Sequence, residues 1–151
     1  MKIWVDADAC PRVIKDVLYK VAMRRQLKMT LVSNQELSVP DTEWIDTMLV
    51  PKGFDVADEE IVRMLQAGDV VITADIPLAD LVVKKAAHGL DFRGDLYHED
   101  NIQGRLATRD LMAQLRDTGW EGGGPPPFNP KDRQKFVNAL DRLLTRLLKV
   151  D

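Results

Sequence analysis

Residues 68–79 read GDVVITADIPLA. Val70 to Thr73 are four consecutive β-branched residues, bounded by Gly68-Asp69 before and Ala74-Asp75 after. A run that short and that uniform is a strand covered on both faces rather than a turn of helix. Ile76-Pro77 then opens a helix expected to extend from Pro77 to Ala87. Proline is tolerated at an early helical position because its missing N–H has no partner there anyway.

Working outward, Lys2 to Val5 (KIWV) reads as a short buried strand. It is followed by Asp6-Ala7-Asp8 and a helix over Pro11–Arg25, in which Val13, Val17, Val21 and Ile14, Leu18 recur at i,i+4. Lys28 to Val32 is a further strand, closed by Ser33-Asn34. Thr47 to Val50 is another, followed by the breakers Pro51 and Gly53. Ala57 to Gln66 is helical, with Ile61, Met64 and Leu65 on one side. The order strand, helix, strand, strand, helix, strand, helix predicts an α/β domain with a mostly parallel central sheet and helices on both faces. Ligands of such sheets lie beyond the carboxyl ends of the strands.

Asn101 to Asp117 is expected to be another helix, carrying Arg105, Arg109 and Arg116. Residues 119–130 (GWEGGGPPPFNP) hold four glycines and four prolines, a loop rather than regular structure. Residues 131–149 close the chain as a helix with Phe136, Leu140, Leu143, Leu144, Leu147 and Leu148 along an apolar stripe.

The 151 residues fit a single domain over 1–151 with a real hydrophobic core. Hydrophobic residues make up 45% and charged residues 30% of the chain, and no apolar run reaches the ~20 residues of a membrane span. No membrane partner is expected. Carboxylates at positions 6 and 8 interrupt the stretch a signal peptide would keep apolar, so a cytoplasmic location is expected. The single cysteine, Cys10, excludes an internal disulfide and a cysteine-based zinc site, and His88 and His98 are too few for a histidine cage. Net charge is −3, so a polyanionic partner would have to be attracted by local basic patches.

The chemistry concentrates in the aspartates. Asp6 and Asp8, two residues apart at a strand end, repel one another, and a hard divalent cation relieves that repulsion. Asp8 could instead cap the following helix, a role for which aspartate is preferred, but a cap leaves Asp6 unexplained. Asp75 has the same two readings. A strand 70–73 lying beside the first would bring Asp75 to Asp6 and Asp8. Asp55 reads as a cap, and Asp58, in the first turn of the same helix, can face the same strand ends. Asp80 reads as a solvated helical residue. Cys10 precedes a helix N-terminus, where a thiol pKa can fall, yet it has no histidine partner by sequence. The basic residues Arg12, Lys15, Lys84, Lys85, Arg105 and Arg109 read as solvated faces or as a rim of phosphate contacts.

At IWVDADACP the chain resembles the YaiI/YqxD family, bacterial proteins placed among the PIN-like nuclease folds. GFDVADEEI, GDVVITADIPLA, the EDNI and TRDL segments and GPPPFNPKDRQKF extend the match over nearly the whole chain in order. The resemblance implies a three-layer PIN-like domain whose acids gather around Mg²⁺ or Mn²⁺. By position, Asp6 is similar to the first-strand acid, Asp58 to the helix-borne acid and Asp75 to the acid after the fourth strand. Asp8 is the additional carboxylate of DADACP. For a fourth acid Asp80, Asp91 and Asp95 are available, and none stands at a matching position.

Three functions follow as expectations. In the first, Asp6, Asp8 and Asp75 hold the metal and Asp58 is a ligand or a water-positioning base, for hydrolysis of RNA or single-stranded DNA. Arg105, Arg109 or Arg133 would hold the backbone phosphates. The second is a phosphatase of the haloacid dehalogenase type, using Asp6-Ala7-Asp8, Ser33 and Asp75, although Cys10 replaces the expected Thr or Val and no cap domain is evident. The third is a non-catalytic nucleic-acid- or protein-binding module. The apolar face of the last helix could also serve a homo-oligomer.

Overall fold

The computed structural model describes residues 1–53, 56–119 and 127–149. Ile3–Asp6 forms β1, the middle strand of a five-stranded sheet. On one side lie β2 (Met29–Ser33) and then β3 (Ile45–Leu49); on the other lie β4 (Val70–Ile72) and then β5 (His88–Leu90). The order β3-β2-β1-β4-β5 is parallel at every pairing. The expectation of a mostly parallel sheet is therefore met and exceeded.

Alternation along β1 decides which layer each side chain joins. Ile3 and Val5 point into one core with Met29, Leu31, Val70, Ile72 and the buried side of α1 (Arg12–Arg25) and α5 (Pro130–Leu148). Trp4 points the opposite way, into a second core with Val32, Val71, Ile61 of α2 (Val56–Met64) and Leu78 and Val82 of α3 (Ile76–Lys84). α4 (Glu99–Asp117) extends this layer by burying Ile102 and Tyr97 against Ala79. Helices thus cover both faces, and the whole is a three-layer α/β domain consistent with a PIN-like architecture.

Beneath the sheet, at the end opposite the strand carboxyl termini, Asp69 is buried. It accepts hydrogen bonds from the Lys2 N–H at 3.0 Å, Trp4 Nε1 at 3.1 Å and the Gln66 N–H at 3.0 Å. The start of the chain is therefore anchored to the turn before β4.

Several boundaries differ from those expected. The third strand begins at Ile45, two residues earlier than the β-branched signal at Thr47. α3 stops at Lys84 rather than Ala87, because Ala86 takes a left-handed conformation (φ 61°) that turns the chain into β5. That strand, His-Gly-Leu, lies beyond the expected helix and is not predicted by the sequence; its pairing with β4 makes it a strand, and its own composition does not. The last helix starts at Pro130, capped by the Asn129 side chain on the N–H groups of Lys131 and Asp132. Asp55 and most of the Gly/Pro loop expected over 119–130 lie outside the described residues.

Candidate active site

The chain passes from β1 to β2 on one side and from β4 to β5 on the other, so the strand order reverses between β1 and β4. The carboxyl ends at such a reversal diverge into a crevice. Here a cleft of about 250 Å³ opens, lined by Asp6, Asp8, Asn34, Asp58 and Asp75 with Val50, Pro51, Gly53, Val56 and Ala57. All four predicted acids reach it. No lysine or arginine does, among the described residues.

Each carboxylate is held by a different element. Asp6 ends β1 on the Trp4 face, half-buried, and its Oδ2 accepts the Thr73 hydroxyl at 2.8 Å. Burial pushes the Asp6 carboxyl above its ordinary value; the Thr73 hydrogen bond opposes the rise, and the negative fields of Asp75 and Asp8 add to it. Asp8 does not cap α1, whose N-cap is Pro11 without a side-chain bond. Its exposed carboxylate instead crosses to the end of β2, accepting Ser33 Oγ at 2.6 Å and the Asn34 N–H at 3.0 Å. Asp75 does cap α3, with Oδ1 accepting the Leu78 N–H at 3.0 Å. The two readings of Asp75 are therefore not exclusive, because the cap itself stands at the cleft wall. Asp58 lies in the first turn of α2 and also lines an adjoining apolar groove between α2 and α3.

Thr73 is the residue that sequence reasoning missed. Its fully buried hydroxyl donates to Asp6 and accepts the Asp75 N–H at 2.9 Å, and its carbonyl accepts Tyr97 OH at 3.1 Å. The only sequence signal was a hydroxyl ending an otherwise aliphatic strand.

The remaining candidates lie elsewhere. None of Arg105, Arg109 and Arg133 lines the cleft. Arg105 is committed to the interior: it pairs with Asp91 at 3.1 Å and stacks over the Tyr97 ring at 4.4 Å. Arg109 is exposed beside Asp110, and Arg133 is half-buried near the start of α5. The surplus acids are also occupied. Asp91 accepts the N–H groups of Arg93 and Asp95, Asp95 pairs with Lys135, and Asp80 pairs with Lys84 at 2.7 Å. Cys10 is buried and its thiol is pushed up to about 12 by desolvation, the reverse of a helix-activated thiolate. Four of the six residues in the apolar stripe of the last helix, Phe136, Leu140, Leu143 and Leu144, are buried in the chain's own core, which leaves little of that face for a second copy.

The donor set suits a hard cation, being carboxylate oxygen throughout. Among the described residues no three acidic, histidine or cysteine side chains stand close enough to ligate one ion together. An ion held here would therefore take only one or two carboxylates directly and keep several of its waters.

Among the described residues no helix is long and apolar enough to cross a membrane. The chain is 59% identical over 148 residues to a "UPF0178 protein" of Maridesulfovibrio salexigens, covering 98% of each chain. It is 58% identical over 146 residues to one of Acidithiobacillus ferrooxidans (97% of this chain, 99% of the relative). With one of Shewanella amazonensis it shares 54% over 149 residues (99% and 100%). No solved structure matches significantly. A family model described as "Uncharacterized BCR, YaiI/YqxD family" matches residues 4–146. The chain belongs to the YaiI/YqxD family.

Proposed function

We propose that the cleft hydrolyses phosphodiester bonds in RNA or single-stranded DNA with the help of Mg²⁺ or Mn²⁺. The observation that carries this reading is the convergence of Asp6, Asp8, Asp58 and Asp75, from β1, the turn after it, α2 and the α3 cap, on one cleft with no basic residue in its described lining. Four carboxylates so placed raise the free energy of the empty site, and a divalent cation offsets that cost. Of Asp6, Asp8 and Asp75, one or two would hold the ion directly and the rest through its waters; when bound it supplies charge stabilisation at phosphoryl oxygens and eases the ionisation of water. Thr73 fixes the Asp6 carboxylate and Ser33 with Asn34 fixes that of Asp8, so neither has to be ordered when substrate arrives. Asp58, on the opposite wall, would accept a proton from the attacking water.

The test is cleavage of end-labelled RNA and single-stranded DNA with Mg²⁺ or Mn²⁺. Activity that Asp6→Asn abolishes supports the proposal; an inert wild type, or an unimpaired Asp6→Asn, overturns it. The Ser33–Asp8 contact also suits a phosphatase with Asp6 as nucleophile, which trapping of an aspartyl-phosphate analogue on Asp6 would reveal. A binding module without turnover is favoured by the separation of the carboxylates, and retained RNA affinity after Asp6→Asn and Asp75→Asn, without cleavage by wild type, would support it.

A further inference from the structure

The second half of α5 carries cations that its surroundings do not neutralise. Arg142, Arg146 and Lys149 make no ion pair or side-chain hydrogen bond among the described residues. The nearest acid on the helix, Asp141, is taken by Arg25 of α1. Favourable interaction with the helix dipole accounts for cations in the last turn but not for Arg142, two turns in. Residues four apart on a helix have Cβ atoms about 6 Å from one another on one face, so the two arginines spring from neighbouring positions.

Two recesses open on either side of this arginine pair, and both arginines line each of them. The first, of about 330 Å³, is floored by Leu90, Leu96 and Leu143 between β5 and α5. The second, of about 290 Å³, runs along the helix from Asp141, whose carboxylate is paired with Arg25, past Thr145 to Lys149. The field of Arg146 also reaches His88, where it adds to burial in lowering that imidazole's basicity.

We propose that this face binds single-stranded nucleic acid, with one backbone phosphate between Arg142 and Arg146 and the two flanking nucleotides in the adjoining recesses. Guanidinium forks match phosphate oxygens bidentately. An apolar floor beside them suits the face of an unpaired base. Lys149, three residues beyond Arg146, meets the next phosphate. The site is distinct from the acidic cleft. The recesses share no lining residue with the cleft, and α5 packs on the face of the sheet opposite to α2 and α3. The proposal therefore holds whether or not the cleft cuts.

The test is fluorescence anisotropy with labelled U10 and dT10 in EDTA, which removes any divalent-dependent cleavage from the measurement. Wild type binds at low salt, and adenosine monophosphate competes only weakly because it spans one recess. Arg142→Gln with Arg146→Gln weakens binding by about tenfold or more. It also lowers the log–log salt slope by about 0.7, the loss of one neutralised phosphate on a single strand. Arg63→Gln with Lys84→Gln, the same charge removed from the α2 and α3 face, leaves affinity within about twofold. Three results overturn the proposal: no binding by wild type, equal losses in the two double variants, or adenosine monophosphate binding as tightly as the decamers. Circular dichroism melts confirm that each variant is folded.

Discussion

Replacing Thr73 by valine preserves the shape of a fully buried side chain and removes one oxygen, so its effect isolates the hydroxyl. Two bonds are lost: the 2.8 Å donation to the Asp6 carboxylate and the 2.9 Å acceptance from the Asp75 N–H. A hydrogen bond to a charged group contributes about 1.5–3 kcal/mol, and an orphaned amide costs about 1–3 kcal/mol. Asp6 and Asp75 are only half-buried, so water recovers part of each, and the lower ends apply. The sum is about 2.5 kcal/mol, which for a urea m-value of roughly 2 kcal/mol/M moves the unfolding midpoint down by about 1.2 M. The loss depends on pH. The Thr73 bond favours ionised Asp6, whose carboxyl is already raised by burial, so the destabilisation is full at pH 7.5 and shrinks as pH falls and Asp6 protonates. Urea unfolding at pH 7.5 and pH 4.5 measures both quantities. Thr73→Ser, which keeps the hydroxyl, should recover most of the loss at pH 7.5. A valine variant within 0.5 kcal/mol of wild type at pH 7.5, or a serine variant as damaged as valine, refutes the assignment of Thr73 as the clamp between the two acids.

Asp6→Asn is expected to raise stability at neutral pH while abolishing activity. A carboxyl raised in the folded state contributes stability below its unfolded value of about 3.8 and loses it as pH rises through the folded value. The advantage of the amide therefore fades toward pH 4, and a variant less stable than wild type at pH 7 in thermal melts contradicts this. Asp69→Ala strands a buried indole N–H and two amides, for a loss of about 4 kcal/mol in urea unfolding, and a loss under 1 kcal/mol would remove its anchoring role. Cys10, buried with its thiol pushed up to about 12, should react with a disulfide reagent at pH 8 only as fast as the protein unfolds; immediate labelling would show the thiol to be open. His88→Gln should flatten the acid limb of stability. The imidazole's lowered folded value makes wild type lose stability as pH falls from about 6.5 toward it, and an unchanged pH profile rejects this.

The strands that carry the site were legible because their side chains announce burial by themselves. KIWV and VVIT are apolar with no competing periodicity, and both acids that follow them reach the cleft. β5 was not legible, because His88, Gly89 and Leu90 hold no strand signal. Gly89 is there for space, since a Cβ would sit 3.0 Å from the Tyr97 ring. Ser33 was placed with Asp8 only in the phosphatase reading; their hydrogen bond follows from the sheet order, which sets the two strand ends side by side. Arg105 shows the limit from the other side. Its spacing with Arg109 suggests an exposed basic face, while its guanidinium in fact closes over Asp91 and Tyr97, contacts made across the fold. The apolar stripe of the last helix was read correctly as a stripe, and four of its six residues are buried in the core with α1 and the sheet.

The strand at the middle of the sheet is the first to be synthesised, yet the hydroxyl that clamps its terminal acid lies 67 residues downstream. At about 5–20 residues per second, several seconds of translation separate Asp6 from Thr73. During that interval the Ile3-Trp4-Val5 segment has β2 as a neighbour on one side and nothing on the other, a sticky ribbon awaiting its second edge. Parallel pairings across such long chain separations are slow to close. The nascent chain therefore passes through a half-built stage whose hazard is aggregation, and its acidic pocket comes into being only when the fourth strand docks.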